Sequence, residues 1–296
     1  PYYSQLKAAI KETKPDGIII ATPNFQHAED AFTCLDYGVP ILIEKPISDS
    51  LDDGVKIVNY AAKLGIPVLT GFHRRHNPII HEIKDKLNSG LIGQIVSVHG
   101  MFWLYKPDDY FETSWRKKSG AGPIYINLSH DIDLMRYFLG EIDSVQSISS
   151  NKSRGFEVED TSVAILNFAS GVIGSISISD TIVSPWSYEF TSNENPVYHY
   201  TSENCYWIGG TDGSIELPKG TLWVHEGPKG WWEPITRTTK VNKKSNPILN
   251  QLDNFINVIQ GHEKPIVSGL EGLKTSAVVS AIKKASNTGL IEKPLY

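Results

Sequence analysis

The chain has 296 residues, 40% of them hydrophobic and 21% charged, enough for one large domain or two smaller ones around a substantial buried core. With 28 Lys plus Arg against 33 Asp plus Glu, the net charge of -5 argues against nucleic acid or an anionic membrane as partner. Cys34 and Cys205, with no CxxC pair, fit a reducing compartment; no apolar run reaches the roughly 18 residues of a membrane span and residues 1–7 lack a signal-peptide layout, so a cytoplasmic location is expected.

Residues 4–13 carry an amphipathic helical pattern, and Gly17-Ile18-Ile19-Ile20-Ala21 follows as a short apolar run of the kind found in buried parallel strands. Asn24 can cap a helix reaching about Tyr37, Gly38 stops it, and Pro40-Ile41-Leu42-Ile43 is the next strand. Ser48 or Ser50 can cap a helix from Leu51 to Leu64 that ends at Gly65, and Pro67-Val68-Leu69-Thr70 makes another strand. This alternation matches βαβ crossovers and predicts a doubly wound parallel sheet over residues 1–73.

Beyond Arg74 the periodicity changes. One helix is expected near residues 77–89, then alternating strands at Ile95 to Trp103, Thr161 to Phe168 and Val172 to Ser179, with turn chemistry at residues 167–171. Gly210-Thr211-Asp212-Gly213 leads into a strand ending near Leu217, residues 182–205 read as a long loop, and helices are expected at about 248–259 and 269–286. A β-rich second domain over residues 74–296 follows from this pattern. No GxGxxG follows a strand, so the phosphate-cradling turn of a dinucleotide site and its acidic ribose ligand are not in this sequence.

Several motifs at fixed spacing nevertheless carry a resemblance. Ala21-Thr22-Pro23-Asn24, His27, Glu44-Lys45-Pro46 and residues 71–78 (GFHRRHNP) look like the middle of the glucose-fructose oxidoreductase and inositol dehydrogenase family. Trp115-Arg116, the glycines at 120 and 122, and Asn127-Leu128-Ser129-His130-Asp131-Ile132-Asp133-Leu134 resemble its catalytic segment, and residues 210–213 and 271–273 also match. The resemblance implies α/β architecture: part of a Rossmann domain, then an α+β domain with a large open, mostly antiparallel sheet. It also implies NAD or NADP as cofactor and about 60 residues before Pro1, given usual βαβ sizes.

Oxidising a secondary alcohol moves a hydride to nicotinamide and a proton to a base, and a cation favours the developing alkoxide. Lys45, just past a strand's carboxyl end and beside Pro46, suits the cation; His130, at the start of a helix whose dipole favours neutral imidazole, suits the base. Read alone, Lys45 is equally a solvated lysine and His130 a packed helix residue. By resemblance Thr22, Pro23, Asn24, His27, Glu44, Lys45 and Arg74 meet the nicotinamide end of the cofactor, though Asn24 also suits a helix cap. Trp115, Arg116, Asn127 and Asp131 are expected at the substrate. The family's aspartate four residues before the histidine is Ile126 here, and the nearby Asn127 can bind a hydroxyl without taking its proton.

Trp103, Tyr105, Tyr110 and Phe111, with Lys106 and Asp109, and Trp186 and Tyr188 in the long loop, offer the faces and hydrogen bonds a sugar or polyol needs, or else pack the core. His73 and His76 lack a third partner for a metal, and none is expected. The expected function is oxidation of a secondary hydroxyl on a sugar, sugar derivative or cyclitol. Alternatives are action on dihydrodiols, glycosidic cleavage through transient oxidation, or a non-catalytic sugar- or nucleotide-binding regulatory protein. An open sheet with one face to cover suggests a homodimer or homotetramer.

Overall fold

The structure is a computed structural model and describes residues 1–239 and 245–296. First come α1 (Leu6–Thr13), β1 (Ile18–Ile20), α2 (His27–Asp36), β2 (Ile41–Ile43), α3 (Leu51–Leu64) and β3 (Val68–Thr70). Next are α4 (Pro78–Asn88), β4 (Ile95–Trp103), α5 (Pro123–Ile126), α6 (Leu128–Leu139), β5 (Ile142–Ser150), β6 (Thr161–Phe168), β7 (Ile173–Ser179) and α7 (Tyr188–Thr191). Strands β8 (Tyr206–Gly210), β9 (Gly213–Leu217), β10 (Thr221–His225) and β11 (Ile235–Thr238) precede α8 (Pro247–Ile259) and α9 (Gly269–Thr288).

The chain divides into two compact units, 1–76 with 246–277 and Tyr296, and 77–245 with 278–295. By this division α8 and the first turns of α9 fall in the first unit.

In the first unit β1, β2 and β3 form a parallel sheet, with Ile18 opposite Ile41 and Ile41 opposite Val68. Ile41 and Ile43 pack with Ala31, Cys34 and Leu35 of α2 and Ile57 and Ala61 of α3, while Leu42 and Leu69 pack with Phe255 and Val258 of α8. Burial on both faces explains why these strands read as unbroken apolar runs. Ser50 caps α3, its Oγ accepting from Asp53 N at 3.4 Å, and Gly65 ends that helix. Asn24 does not act as the expected cap: residues 24–26 form a 3-10 turn, and α2 begins at His27 without a side-chain cap.

The second unit is built on an eight-stranded sheet ordered β11-β10-β9-β8-β4-β7-β6-β5, antiparallel except for the parallel pair β4 and β7. Val98 and Phe102 of β4, Ala164 and Leu166 of β6 and Ile176 and Ile178 of β7 face a core filled by α4, α6 and the last turns of α9. The alternate positions carry Ser97, His99, Ser175 and Ser177, with His99 Nδ1 2.9 Å from Ser175 Oγ and Trp103 Nε1 donating to Ser177 Oγ at 2.8 Å. Strands β5, β8, β10 and β11 escape the sequence reading because they are short or carry mixed apolar and serine positions. The expected long loop contains one short helix, α7.

The register of α3 can be tested by stability. Ile57 is fully buried, whereas Asn59 is exposed. Ile57→Ala should cost about 2–5 kcal/mol in urea unfolding and Asn59→Ala less than about 1 kcal/mol; comparable costs would contradict the assigned face.

Candidate active site

Parallel strands deliver their carboxyl ends to one edge of a sheet, and that edge is where such sheets bind ligands. In the first unit it presents Thr22-Pro23-Asn24 after β1, Glu44-Lys45-Pro46 after β2 and residues 71–76 after β3. Thr22, Pro23 and Asn24 are exposed, and Thr22 Oγ1 donates to Asp30 Oδ2 at 2.8 Å. Lys45 is half-buried, its backbone N donates to Glu44 Oε2 at 3.3 Å, and the Lys45–Pro46 peptide is cis. The Glu44 carboxyl also lies against Gly71, where an added Cβ would sit 3.1 Å from Oε2. Glycine at that position is what lets the loop after β3 approach so closely.

His27, expected at the cofactor, has a different placement. It is 1% exposed, with Nδ1 2.8 Å from Pro46 O and Nε2 2.8 Å from Thr22 O, so it joins the loop after β1 to the loop after β2. Arg74 is likewise withdrawn from solvent at 2% exposure. The loop after β3 is fastened by Arg75, whose two terminal nitrogens donate to Glu271 Oε2 at 3.2 Å each, and by Asn250 Nδ2, which donates to His76 O at 2.9 Å. Burial, followed by the positive charges of Arg74 and Lys45 and by His76, holds the His73 pKa down at about 3.

In the second unit the parallel pairing of β4 and β7 sends both strands out of the sheet in the same direction. Lys106 N donates to Asp180 O at 2.9 Å just beyond those ends. The Lys106 ammonium donates to Asn127 Oδ1 at 2.8 Å and lies 3.8 Å from Asp180 Oδ2 and 5.0 Å from the Tyr110 ring. Arg154 Nε donates to Asp180 Oδ1 at 2.8 Å. Burial raises the Asp180 pKa while Arg154 and Lys106 pull it down. The sequence reading named Lys106 but missed Arg154 and Asp180, because nothing in the sequence shows that β4 and β7 pair in parallel.

Asn127 immediately precedes α6, and His130, its third residue, is half-exposed with its backbone N donating to Asn127 O at 3.2 Å. The turn before it depends on Gly122, at φ 86°, where a Cβ would sit 2.6 Å from Glu159 Oε1; that oxygen accepts from Ile124 N at 3.0 Å. Arg116 stacks 4.0 Å from the Tyr110 ring and 5.6 Å from that of Trp115, and donates to Tyr110 O at 2.8 Å. Trp115 itself is 54% exposed.

One expectation requires correction. Asp131 is fully buried and accepts from the Tyr206 hydroxyl, so its carboxylate is committed to the core rather than presented to a substrate. Of the two readings open for the loop aromatics, Tyr188 packs the core at 1% exposure, and Trp186 packs edge-on against Trp103 at 5.9 Å.

Comparison with known proteins gives this arrangement a family. Residues 1–72 match the oxidoreductase family's NAD-binding Rossmann fold, and residues 80–216 match the GFO/IDH/MocA C-terminal domain. The chain belongs to the Gfo/Idh/MocA oxidoreductase family. It is similar to a 1,5-anhydro-D-fructose reductase of Ensifer adhaerens, 24% identical over 93% of this chain and 78% of that protein. Similarity to an inositol 2-dehydrogenase of Mycolicibacterium gilvum is 32% over 55% of this chain, and that match spans 46% of the relative, about half its length. The crystal structure of the WlbA dehydrogenase from Bordetella pertussis in complex with NADH and UDP-GlcNAcA superposes with a TM-score of 0.76 at 24% identity. That match covers 99% of this chain and 84% of that one, and shows the shared fold.

Gfo/Idh/MocA proteins of this fold use a nicotinamide cofactor, and the first unit's edge has suitable chemistry. An exposed backbone at Thr22, Pro23 and Asn24, the Glu44 carboxylate and the Lys45 ammonium supply acceptors and a donor for a ribose and its carboxamide-bearing ring. Among the described residues no helix is long and apolar enough to cross a membrane, and no three His, Cys, Asp or Glu side chains gather as a metal site would require.

The depressed His73 pKa sets a sign for acid stability. Folded His73 stays neutral down to about pH 3, whereas the unfolded residue protonates near 6.5, so unfolding takes up a proton between those values and stability is lost as pH falls through that range. His73→Gln should flatten this part of the unfolding free energy measured against pH; an unchanged pH dependence would contradict the assignment.

Proposed function

We propose that this oxidoreductase oxidises, or in reverse regenerates, a secondary hydroxyl of a sugar, sugar derivative or cyclitol. The observation that carries the reading is the Glu44-Lys45-Pro46 turn at the carboxyl end of β2, in a chain of the Gfo/Idh/MocA family. When bound, the nicotinamide supplies hydride acceptance or donation. NAD is favoured over NADP, on the support of a similar fold solved with NADH.

The chain's own groups do the rest. Lys45 carries the positive charge that favours a developing alkoxide, and Glu44 and the backbone after β1 orient the ribose. His130 stands in the first turn of α6, and its imidazole is the group that takes the hydroxyl proton. Trp115, with Arg116, offers an apolar face and a donor to a polyol. Sugar and inositol substrates are supported by the reductase and dehydrogenase named above.

A panel of sugars and cyclitols, followed by NADH absorbance, tests the activity. Lys45→Met and His130→Ala should each lower kcat/KM by about 10²–10⁴, with NADH affinity retained in His130→Ala. Near-normal turnover in either would remove that residue from the mechanism. Binding of sugar or nucleotide with no turnover of any compound would favour a regulatory binding protein.

Assembly as a homo-oligomer belongs to the same proposal. Ile148 (81% exposed) stands opposite Val163 (48%) on adjacent strands, with Ile165 (43%) two residues on, an apolar row on the open face of the sheet that a second copy would cover. Ile148→Lys with Val163→Lys should shift the protein to a smaller species in light scattering, and an unchanged mass would reject this face as the contact. The two buried free cysteines support a reducing, cytoplasmic setting.

A further inference from the structure

We propose that Lys106 is a positioning residue that fixes the carboxamide of Asn127, so that Asn127 Nδ2 donates a hydrogen bond to an oxygen of the sugar or cyclitol; this rests on the substrate class proposed above. An ammonium is a donor with no acceptor capacity, so the atom facing Lys106 Nζ at 2.8 Å must be the amide oxygen. The amide nitrogen then points the other way. Asn127 is half-exposed, and among the described residues no acceptor takes its Nδ2 hydrogens.

Lys106 is itself held firmly. It is 6% exposed, its N donates to Asp180 O at 2.9 Å, and its carbonyl accepts from Arg154 at 2.6 Å. Its ammonium lies between the Asp180 carboxylate at 3.8 Å and the Tyr110 ring at 5.0 Å. A buried side chain fixed at both ends has little rotamer freedom left to lose, so the amide it anchors is pre-set before substrate arrives.

The consequence is a polarity. Beside the backbone that opens α6 and leads to His130, the site offers an N–H donor, which suits a ring ether, a carbonyl or a hydroxyl accepting through its lone pair. A carboxylate at the same place would reverse that preference.

The test uses the full chain with NAD and the best substrate from the panel, in Lys106→Met, Asn127→Ala, Asn127→Asp and the Lys106→Met/Asn127→Ala double variant. Each single substitution should raise KM about tenfold, the worth of one hydrogen bond, with kcat changed far less and NADH affinity unchanged. The double variant should be no worse than either single, since both remove the same contact. An unchanged KM in Asn127→Ala, multiplying effects in the double variant, or a wild-type KM in Asn127→Asp would overturn the proposal. If Lys106→Met does not fold, by circular dichroism, the two Asn127 variants decide alone. If the wild-type chain turns over no sugar, the substrate reading fails; the anchoring is then read from the Asn127 side-chain amide NMR signals, which move in Lys106→Arg if Lys106 holds the oxygen and stay in place if it does not.

Discussion

Strand β2 is buried on both faces, Ile41 and Ile43 against α2 and α3 and Leu42 against α8, so its polar groups can appear only where it stops. The same holds for β3, and this restriction concentrates the chemistry of the first unit on a few residues past each strand. Those residues lie in loops, which by themselves are free to move. His27 answers that problem by bonding to Thr22 O on one loop and Pro46 O on the next. A neutral ring donates to one of these carbonyls, while a doubly protonated ring donates to both. An inward-facing ring set between two carbonyls fixes the spacing between the exposed Thr22-Pro23-Asn24 segment and the Lys45-Pro46 turn.

The second unit meets a different constraint, because its sheet has one face packed on the core and one open. Buried charged groups gather at the ends of β4 and β7, the one parallel pair among the described strands of this sheet. Antiparallel neighbours leave a sheet in opposite directions, whereas this pair brings Lys106 and Asp180 together and gives Arg154 a carboxylate to meet. Charges this deeply buried are costly unless paired and hydrogen-bonded, and removing one partner typically costs about 3–5 kcal/mol. The pairing therefore fixes the segments that carry Asn127 and Tyr110 as firmly as apolar packing would.

Much of this was legible in the sequence, for identifiable reasons. Ile18 to Ile20 and Ile41 to Ile43 announce buried parallel strands through unbroken β-branched runs, and Gly65 ends α3 as its position suggests. Spacing and family resemblance single out Thr22, Glu44, Lys45 and His130 as the residues proposed for the site. What was not legible is which polar side chains turn inward. His27 and Asp131 stand in motifs beside exposed residues, yet both are buried, one on two carbonyls and the other on the Tyr206 hydroxyl. Tyr206 lies 75 residues from Asp131, and Pro46 stands beyond the next strand from His27, and neither periodicity nor local motif reports such contacts between elements. Helix α9 divides between the two units, with Leu273 packed in the core of the first and Val278, Ile282 and Ala285 in that of the second.

These inward turns bear on where a proton can go. Ile126 stands at the family's acidic position and has nothing to titrate, and Asn127, its polar neighbour, can donate or accept a hydrogen bond but cannot act as a base at neutral pH. Asp131 accepts from Tyr206 inside the core. At the start of α6 that leaves His130 as the side chain with both a half-exposed position and a ring nitrogen able to accept a proton. An acid beside the histidine would share and stabilise the proton it gains; an amide anchored by a lysine cannot. In the proposed reaction, a positive charge that stabilises the alkoxide lessens the strength the proton acceptor needs, so a cation can offset the lack of an acidic side chain at position 126.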